Sequence, residues 1–230
     1  MRRNRPIPFR SKLKFAIVVD GECEFWYIQM IKRNERSINV DLKPEIPQRK
    51  KLADQYEKVV GLSKDYDKVF WIVDFDVINS ETLVAKKGTK NAIQEFKGYC
   101  NEIKEKHKDI IVIINNPCLE YWILLHFETT SRYFDTCEGA TKKLKKYLVD
   151  YEKTQSYYTK QDHDIYLRLK PHLQKAISNA TRLGEFDFDS PHSGMTQMQL
   201  FFEMEQIMEI SSPNPTNHFN YTNHSSDIFL

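Results

Sequence analysis

Six carboxylates follow closely on apolar segments. Asp20, Glu22 and Glu24 come after Phe15-Ala-Ile-Val-Val19, Asp74 and Asp76 come after Lys68-Val-Phe-Trp-Ile-Val73, and Glu120 follows Asp109-Ile-Ile-Val-Ile-Ile114 by way of Asn115-Asn116-Pro117. Carboxylate oxygens without His or Cys beside them select a hard ion, Mg²⁺ or Mn²⁺. Gathered at one place, four or five of them would repel one another severely unless a cation sat among them. Asp74 and Asp76 suit that role if the chain is extended there, since alternate side chains then point the same way, roughly 6 to 7 Å apart. A DxD after a strand is a weak signal alone, because acids also fill turns, and Glu22 or Glu24 equally suits the first turn of a helix. Two such groups, each after a buried strand, form a stronger one.

The elements that must position these acids are legible in the periodicity. Each apolar run is rich in β-branched residues on both faces, as expected of a strand buried on both sides of a sheet. From Glu22, Phe25, Ile28 and Ile31 recur at helical spacing. Residues 36 to 46 hold a second strand through Ile38, Val40 and Leu42, and 51 to 62 a helix. Residues 77 to 88 read as a loop, 91 to 107 as a helix with Ile93, Phe96, Cys100 and Ile103 on one face, and 118 to 127 as an apolar helix. This alternation predicts an α/β fold over residues 14 to 130, a mainly parallel sheet flanked by helices. In such sheets ligands bind outside the carboxyl ends of the strands, where the acids fall. Residues 131 to 210 change character and predict a C-terminal helical cap with helices over 139 to 149, 164 to 183 and 195 to 210. Residues 1 to 13 read as a basic flexible arm and 211 to 230 as a poorly ordered tail.

Composition excludes several classes. Of 230 residues, 29% are charged and 40% hydrophobic, with a mean hydropathy of −0.60, which describes a globular chain. The clean apolar runs are five residues long, against the roughly 20 of a membrane span. The start does not fit a signal peptide, so a cytoplasmic protein is expected. Cys23, Cys100, Cys118 and Cys137 form no CxxC pair. That argues against zinc and, in a reducing compartment, against disulfides, leaving the cysteines as core fillers. Neither GxxxxGK[ST] nor GxGxxG occurs, and GxSxG and HExxH are missing as well. The net charge of +2 does not require a polyanion. Its distribution offers nucleic-acid contacts at Arg10 and Lys12 in the arm, at Lys142, Lys143 and Lys146, and at His192 in a loop; solvated faces are the commoner outcome. Tyr151, Tyr157 and Tyr158 near those lysines permit base stacking. His126, on an apolar helix, reads as a core histidine.

Three segments, Val18-Val-Asp-Gly-Glu-Cys-Glu24, Asp74-Phe-Asp76 and Asn116-Pro-Cys-Leu-Glu-Tyr-Trp-Ile-Leu-Leu-His-Phe-Glu128, resemble the RloB family, bacterial proteins related to the Toprim-containing nucleases of the OLD type. The last is the most specific, close to the family's NPCFExWLLLHF signature. Ser190-Pro-His-Ser-Gly-Met-Thr-Gln197 is loosely similar to a later family turn, so the likeness covers about residues 10 to 205. The resemblance implies a Toprim-like core that holds Mg²⁺ or Mn²⁺ for phosphodiester chemistry. Carried over, Asp20, Glu24, Asp74 and Asp76 would be the metal ligands and Glu120 matches a further family acid; the catalytic acids are read as Asp20, Glu22, Glu24 and Glu120, with Asp20 or Glu22 ordering the attacking water or completing the ion shell. It further implies a place in restriction-modification and phage-defence loci, nucleic acid as substrate and a partner ATPase, consistent with the missing nucleotide loop. One departure stands out: Asp20 occupies the place of the family's first glutamate. Its shorter side chain displaces an ion or base by about 1 Å, enough to cost orders of magnitude in rate. Two readings follow, a Mg²⁺-dependent nuclease and a catalytically weak module that binds nucleic acid or an ATPase. Nucleotidyl transfer uses similar acids but has no nucleotide motif here.

Overall fold

The computed structural model describes residues 12–49, 51–84 and 91–210. Arg10 with most of the basic arm, and the tail from 211 onward, lie outside the described residues. In chain order the elements are β1 (Leu13–Val19), α1 (Glu22–Asn34), β2 (Val40–Glu45), α2 (Leu52–Leu62), β3 (Lys68–Asp74), α3 (Phe75–Val84), α4 (Ala92–Lys106), β4 (Ile110–Asn116) and α5 (Leu119–Leu125). There follow α6 (Cys137–Leu144), α7 (Gln155–Tyr158), α8 (Ile165–Leu169), α9 (Leu173–Leu183), β5 (Met195–Thr196) and α10 (Gln199–Phe202). The protein is α/β, a five-stranded sheet in the order β2-β1-β3-β4-β5. The first four strands are parallel and β5 runs antiparallel to β4.

Alternation along each strand divides the interior. Phe15, Ile17, Val19, Phe70 and Ile72 enter one core with residues of α1, α5, α9 and α10. Ala16, Val18, Val69, Trp71 and Val73 enter the other with residues of α2, α3 and α4. Each large side chain fully buried this way contributes about 1.5 to 3 kcal/mol. Because β2 lies on one side of β1 while β3 and β4 lie on the other, the strand order reverses at the β1/β3 boundary. In open α/β sheets such a boundary, outside the carboxyl ends of the strands, is where ligands bind. The register pairs Val19 with Ile72 and Asp74 with Asn115, bringing the residues after β1 alongside the end of β3.

Several expected elements change. Residues 77 to 88 are not wholly a loop, because α3 continues to Val84 with Phe75 and Ile78, three residues apart, buried together. The single helix expected over 164 to 183 is α8, a 3₁₀ turn at Lys170–His172 and α9. Pro171 lies in that turn, where it cannot donate to an α-helical ladder. The Lys-rich helix begins earlier and ends sooner than expected, at Cys137–Leu144, with the Thr136 hydroxyl accepting from Gly139 N. Residues 195 to 210 are not one helix but β5, α10 and a 3₁₀ turn at Met208–Ile210. Gly194 precedes β5 because a Cβ there would lie 2.1 Å from Arg132 O and 2.6 Å from the Tyr121 ring. No helix among the described residues is long and apolar enough to cross a membrane.

Candidate acidic site

Asp20 directly follows β1, and the next residue, Gly21, caps α1 with extended backbone. A Cβ at Gly21 would stand 2.8 Å from Glu24 Oε2, so the glycine leaves room for that carboxylate to fold back over the helix start. Glu24 is buried on the first turn of α1, where the helix dipole favours an anion. Burial nevertheless pushes its carboxyl up to about 7; its own backbone N–H opposes the rise, Glu120 and Asp20 add to it, and Lys153 opposes it. Asp74 is pushed well above the usual carboxylate range, first by burial and then by Glu24, Glu120, Asp20 and Asp76. Asp76 is also raised by burial, against the backbone N–H of Cys137 and the charge of Lys153.

The supporting contacts come from residues that carried no sequence signal. Gln55 donates from Nε2 to Asp20 Oδ1 at 3.3 Å and accepts from the Trp71 indole at 3.0 Å. Asn115 donates to Asp74 Oδ1 at 3.3 Å and accepts from the Thr196 hydroxyl at 2.6 Å. Asp76 Oδ2 accepts from Cys137 N at 3.2 Å. The expectation that Asp74 and Asp76 share one extended segment is corrected: Asp74 ends β3, and Asp76 lies in the first turn of α3.

Glu120, on the first turn of α5, is 1% exposed. Its Oε1 accepts from Tyr151 OH at 2.6 Å and from Lys153 Nζ at 2.9 Å. Its Oε2 lies 2.9 Å from Cys118 Sγ and 2.8 Å from Cys137 Sγ. Those two sulfurs are joined in a disulfide, which corrects the reading of all four cysteines as separate core fillers; Cys23 and Cys100 are free. A pairing 19 residues apart has no local signature. Lys153, 45% exposed in its side chain, is likewise absent from the sequence reading; nothing in the spacing of its loop marks it. Among the described residues, the ligand atoms that come within 4.8 Å of one another in a group of three belong to Cys118, Glu120 and Cys137.

Other candidates fall elsewhere. Glu22 is exposed on the first turn of α1. Lys12 precedes β1, at the opposite end of that strand from Asp20, and donates to Ile38 O. Lys143 pairs with Glu128 at 2.9 Å, while Lys142 and Lys146 are exposed. His192 is exposed in a loop that Asn116 fastens to the end of β4 through Pro191 O and Ser193 O. Tyr151 and Tyr158 are fully buried and share a 2.6 Å hydrogen bond, so neither presents a face for a base. His126 is buried, and burial pushes it down to about 3, so it is a neutral core residue.

Carboxylates collected where the strand order of a doubly wound sheet reverses define an α/β protein with an acidic centre at its carboxyl edge. A family model described as RloB-like protein matches residues 15–204, a span that takes in every one of these acids, and the chain belongs to the RloB family. No curated protein and no solved structure matches the chain.

Proposed function

We propose that the protein is a divalent-cation-dependent nuclease that hydrolyses phosphodiesters at this edge. The observation that carries the reading is Asp74, whose carboxyl is raised first by burial and then by four surrounding acids, Glu24, Glu120, Asp20 and Asp76. Such repulsion is relieved by a cation, and donors that are all carboxylate oxygens fit Mg²⁺ or Mn²⁺. Asp20, Glu24, Asp74 and Asp76 would hold it. When bound, the ion polarises the scissile phosphate and lowers the pKa of the attacking water. Gln55 and Asn115 would orient the Asp20 and Asp74 carboxylates through the hydrogen bonds they donate to them. Lys153 and Tyr151 hold Glu120, and the exposed Lys142 on α6 and Lys146 in the turn after it offer contacts to a nucleic-acid backbone. Family resemblance supports a setting in phage defence beside an ATPase partner, which would supply the nucleotide hydrolysis for which this chain has no loop.

Cleavage of single- and double-stranded DNA and RNA with Mg²⁺ or Mn²⁺ tests the reading. Asp74→Asn is expected to abolish activity, and equal cleavage by wild type and variant would reject the assignment.

Lys153 favours a second reading, a catalytically weak module that binds nucleic acid or an ATPase. Its ammonium already offsets Glu24, Glu120 and Asp76, part of the task an ion would perform. Calorimetry separates the two: no Mn²⁺ binding at millimolar concentration supports the module.

A further inference from the structure

The buried carboxylate of Glu120 is served unequally. Oε1 has two donors, Tyr151 and Lys153, whereas Oε2 faces two sulfurs at 2.9 and 2.8 Å that carry no proton while they are bonded to each other. A carboxylate oxygen taken from water and given no donor is costly. Breaking the S–S bond turns both sulfurs into donors aimed at that oxygen, so the reduced pair satisfies Glu120 and the oxidised pair does not.

The two sulfurs also differ. Cys118 is fully buried, while Cys137 is partly accessible. Cys137 opens the eight-residue α6, and Lys153 Nζ stands 3.0 Å from its sulfur. An adjacent ammonium stabilises negative charge on sulfur and makes it the nucleophile. Cys23 and Cys100 are driven the other way, both thiols pushed up to about 12, first by burial.

We propose that Cys118 and Cys137 form a reversible dithiol–disulfide site oxidised by hydroperoxides, with Cys137 attacking and Cys118 resolving. The Cys137 thiol passes its proton to Glu120 Oε2, 2.8 Å away, as its sulfur attacks one peroxide oxygen; the O–O bond breaks, an S–O bond forms, and the departing alkoxide takes up that proton to leave as alcohol, or as water from hydrogen peroxide. The Cys118 sulfur then attacks the sulfenic Cys137; the S–O bond breaks, the S–S bond forms, and hydroxide leaves as water with the Cys118 proton. Two thiols and one hydroperoxide thus give one disulfide, one alcohol and one water, and a dithiol reductant reverses the change. The state of the pair reaches the acids through Glu120 and through Asp76, which accepts from Cys137 N. The chemistry itself does not depend on the nuclease reading.

The test uses the full chain, reduced with dithiothreitol, freed of reductant and challenged with equimolar hydrogen peroxide. Thiol titration over time should show two of the four thiols lost ahead of the others, and peptide mass mapping should show Cys118 linked to Cys137. Cys118→Ser should stop at a sulfenic acid on Cys137 that dimedone traps, and Lys153→Met should slow oxidation several-fold. The wild-type titration needs no variant to fold. The proposal is overturned if the disulfide of the folded protein resists dithiothreitol, if all four thiols react alike, if the sulfenic acid forms on Cys118, or if the reduced protein retains Zn²⁺ that shields both sulfurs from peroxide.

Discussion

Gln55 binds Asp20 with one end of its amide and Trp71 with the other, at 3.3 and 3.0 Å, so the α2 helix reads out the position of a carboxylate that β1 delivers. Gln55→Leu removes the acceptor that the buried indole uses. An unsatisfied buried donor costs about 1 to 3 kcal/mol, and that loss should appear as a lower urea midpoint at unchanged slope. Gln55→Glu keeps an acceptor for Trp71 but faces Asp20 with a second charge, so it should be the more sensitive of the two to added Mn²⁺.

Glu24 gives the protein a stability that depends on pH in an unusual direction for a carboxylate. Its folded pKa, about 7, lies above the ordinary 4.5, so the folded chain holds the proton more tightly than the unfolded one. The sign follows: the contribution is fully present below 4.5 and is lost as pH rises through about 7. In EDTA, the Tm of wild type should therefore fall relative to that of Glu24→Gln across this window. Mn²⁺ should reverse the fall at pH 8. Parallel Tm curves for the two proteins at every pH would remove Glu24 from the repelling cluster.

The strands and the residues after them were legible because each relies on a local signal. Phe15 to Val19 and Val69 to Val73 are continuous buried runs, and acids beyond such runs have few places to go except the carboxyl edge. The supports of the site were not legible, since Gln55, Asn115 and Lys153 act across 35, 41 and 33 residues of sequence on Asp20, Asp74 and Glu120. Polar residues of these types are common on any surface, and nothing local distinguishes one that orients a carboxylate. The Cys118–Cys137 bond is hidden for the same reason. Helix α3 was missed because its inward face amounts to little more than Phe75 and Ile78, too short a pattern to establish a period.

Gly21 separates folding from ion binding. Its backbone, at φ −136°, is open to any residue, so alanine adds no conformational strain there. The added Cβ would meet the far end of the Glu24 side chain at 2.8 Å, and that end can swing aside. Gly21→Ala should change stability by less than about 1 kcal/mol, while Mn²⁺ affinity measured by calorimetry should drop several-fold. A variant with unaltered affinity would mean that Glu24 does not need its folded-back position.

Lys153 decides between the two functional readings. It pairs with Glu120, which is 1% exposed, but is itself 45% exposed in its side chain. Breaking a fully buried pair costs about 3 to 5 kcal/mol; solvent at the lysine screens this one, so about 1 to 3 kcal/mol is expected for Lys153→Met without metal. If the ammonium stands in for an ion, its removal should raise Mn²⁺ affinity, and saturating Mn²⁺ should restore the lost Tm. A nuclease that uses Lys153 to hold Glu120 in place would show tighter ion binding together with weaker cleavage. A module that binds no ion would show the loss of Tm without any rescue by Mn²⁺. Because ion binding and its absence differ in calorimetry before any substrate is added, separating the module from an ion-binding protein does not require knowing which nucleic acid is cut.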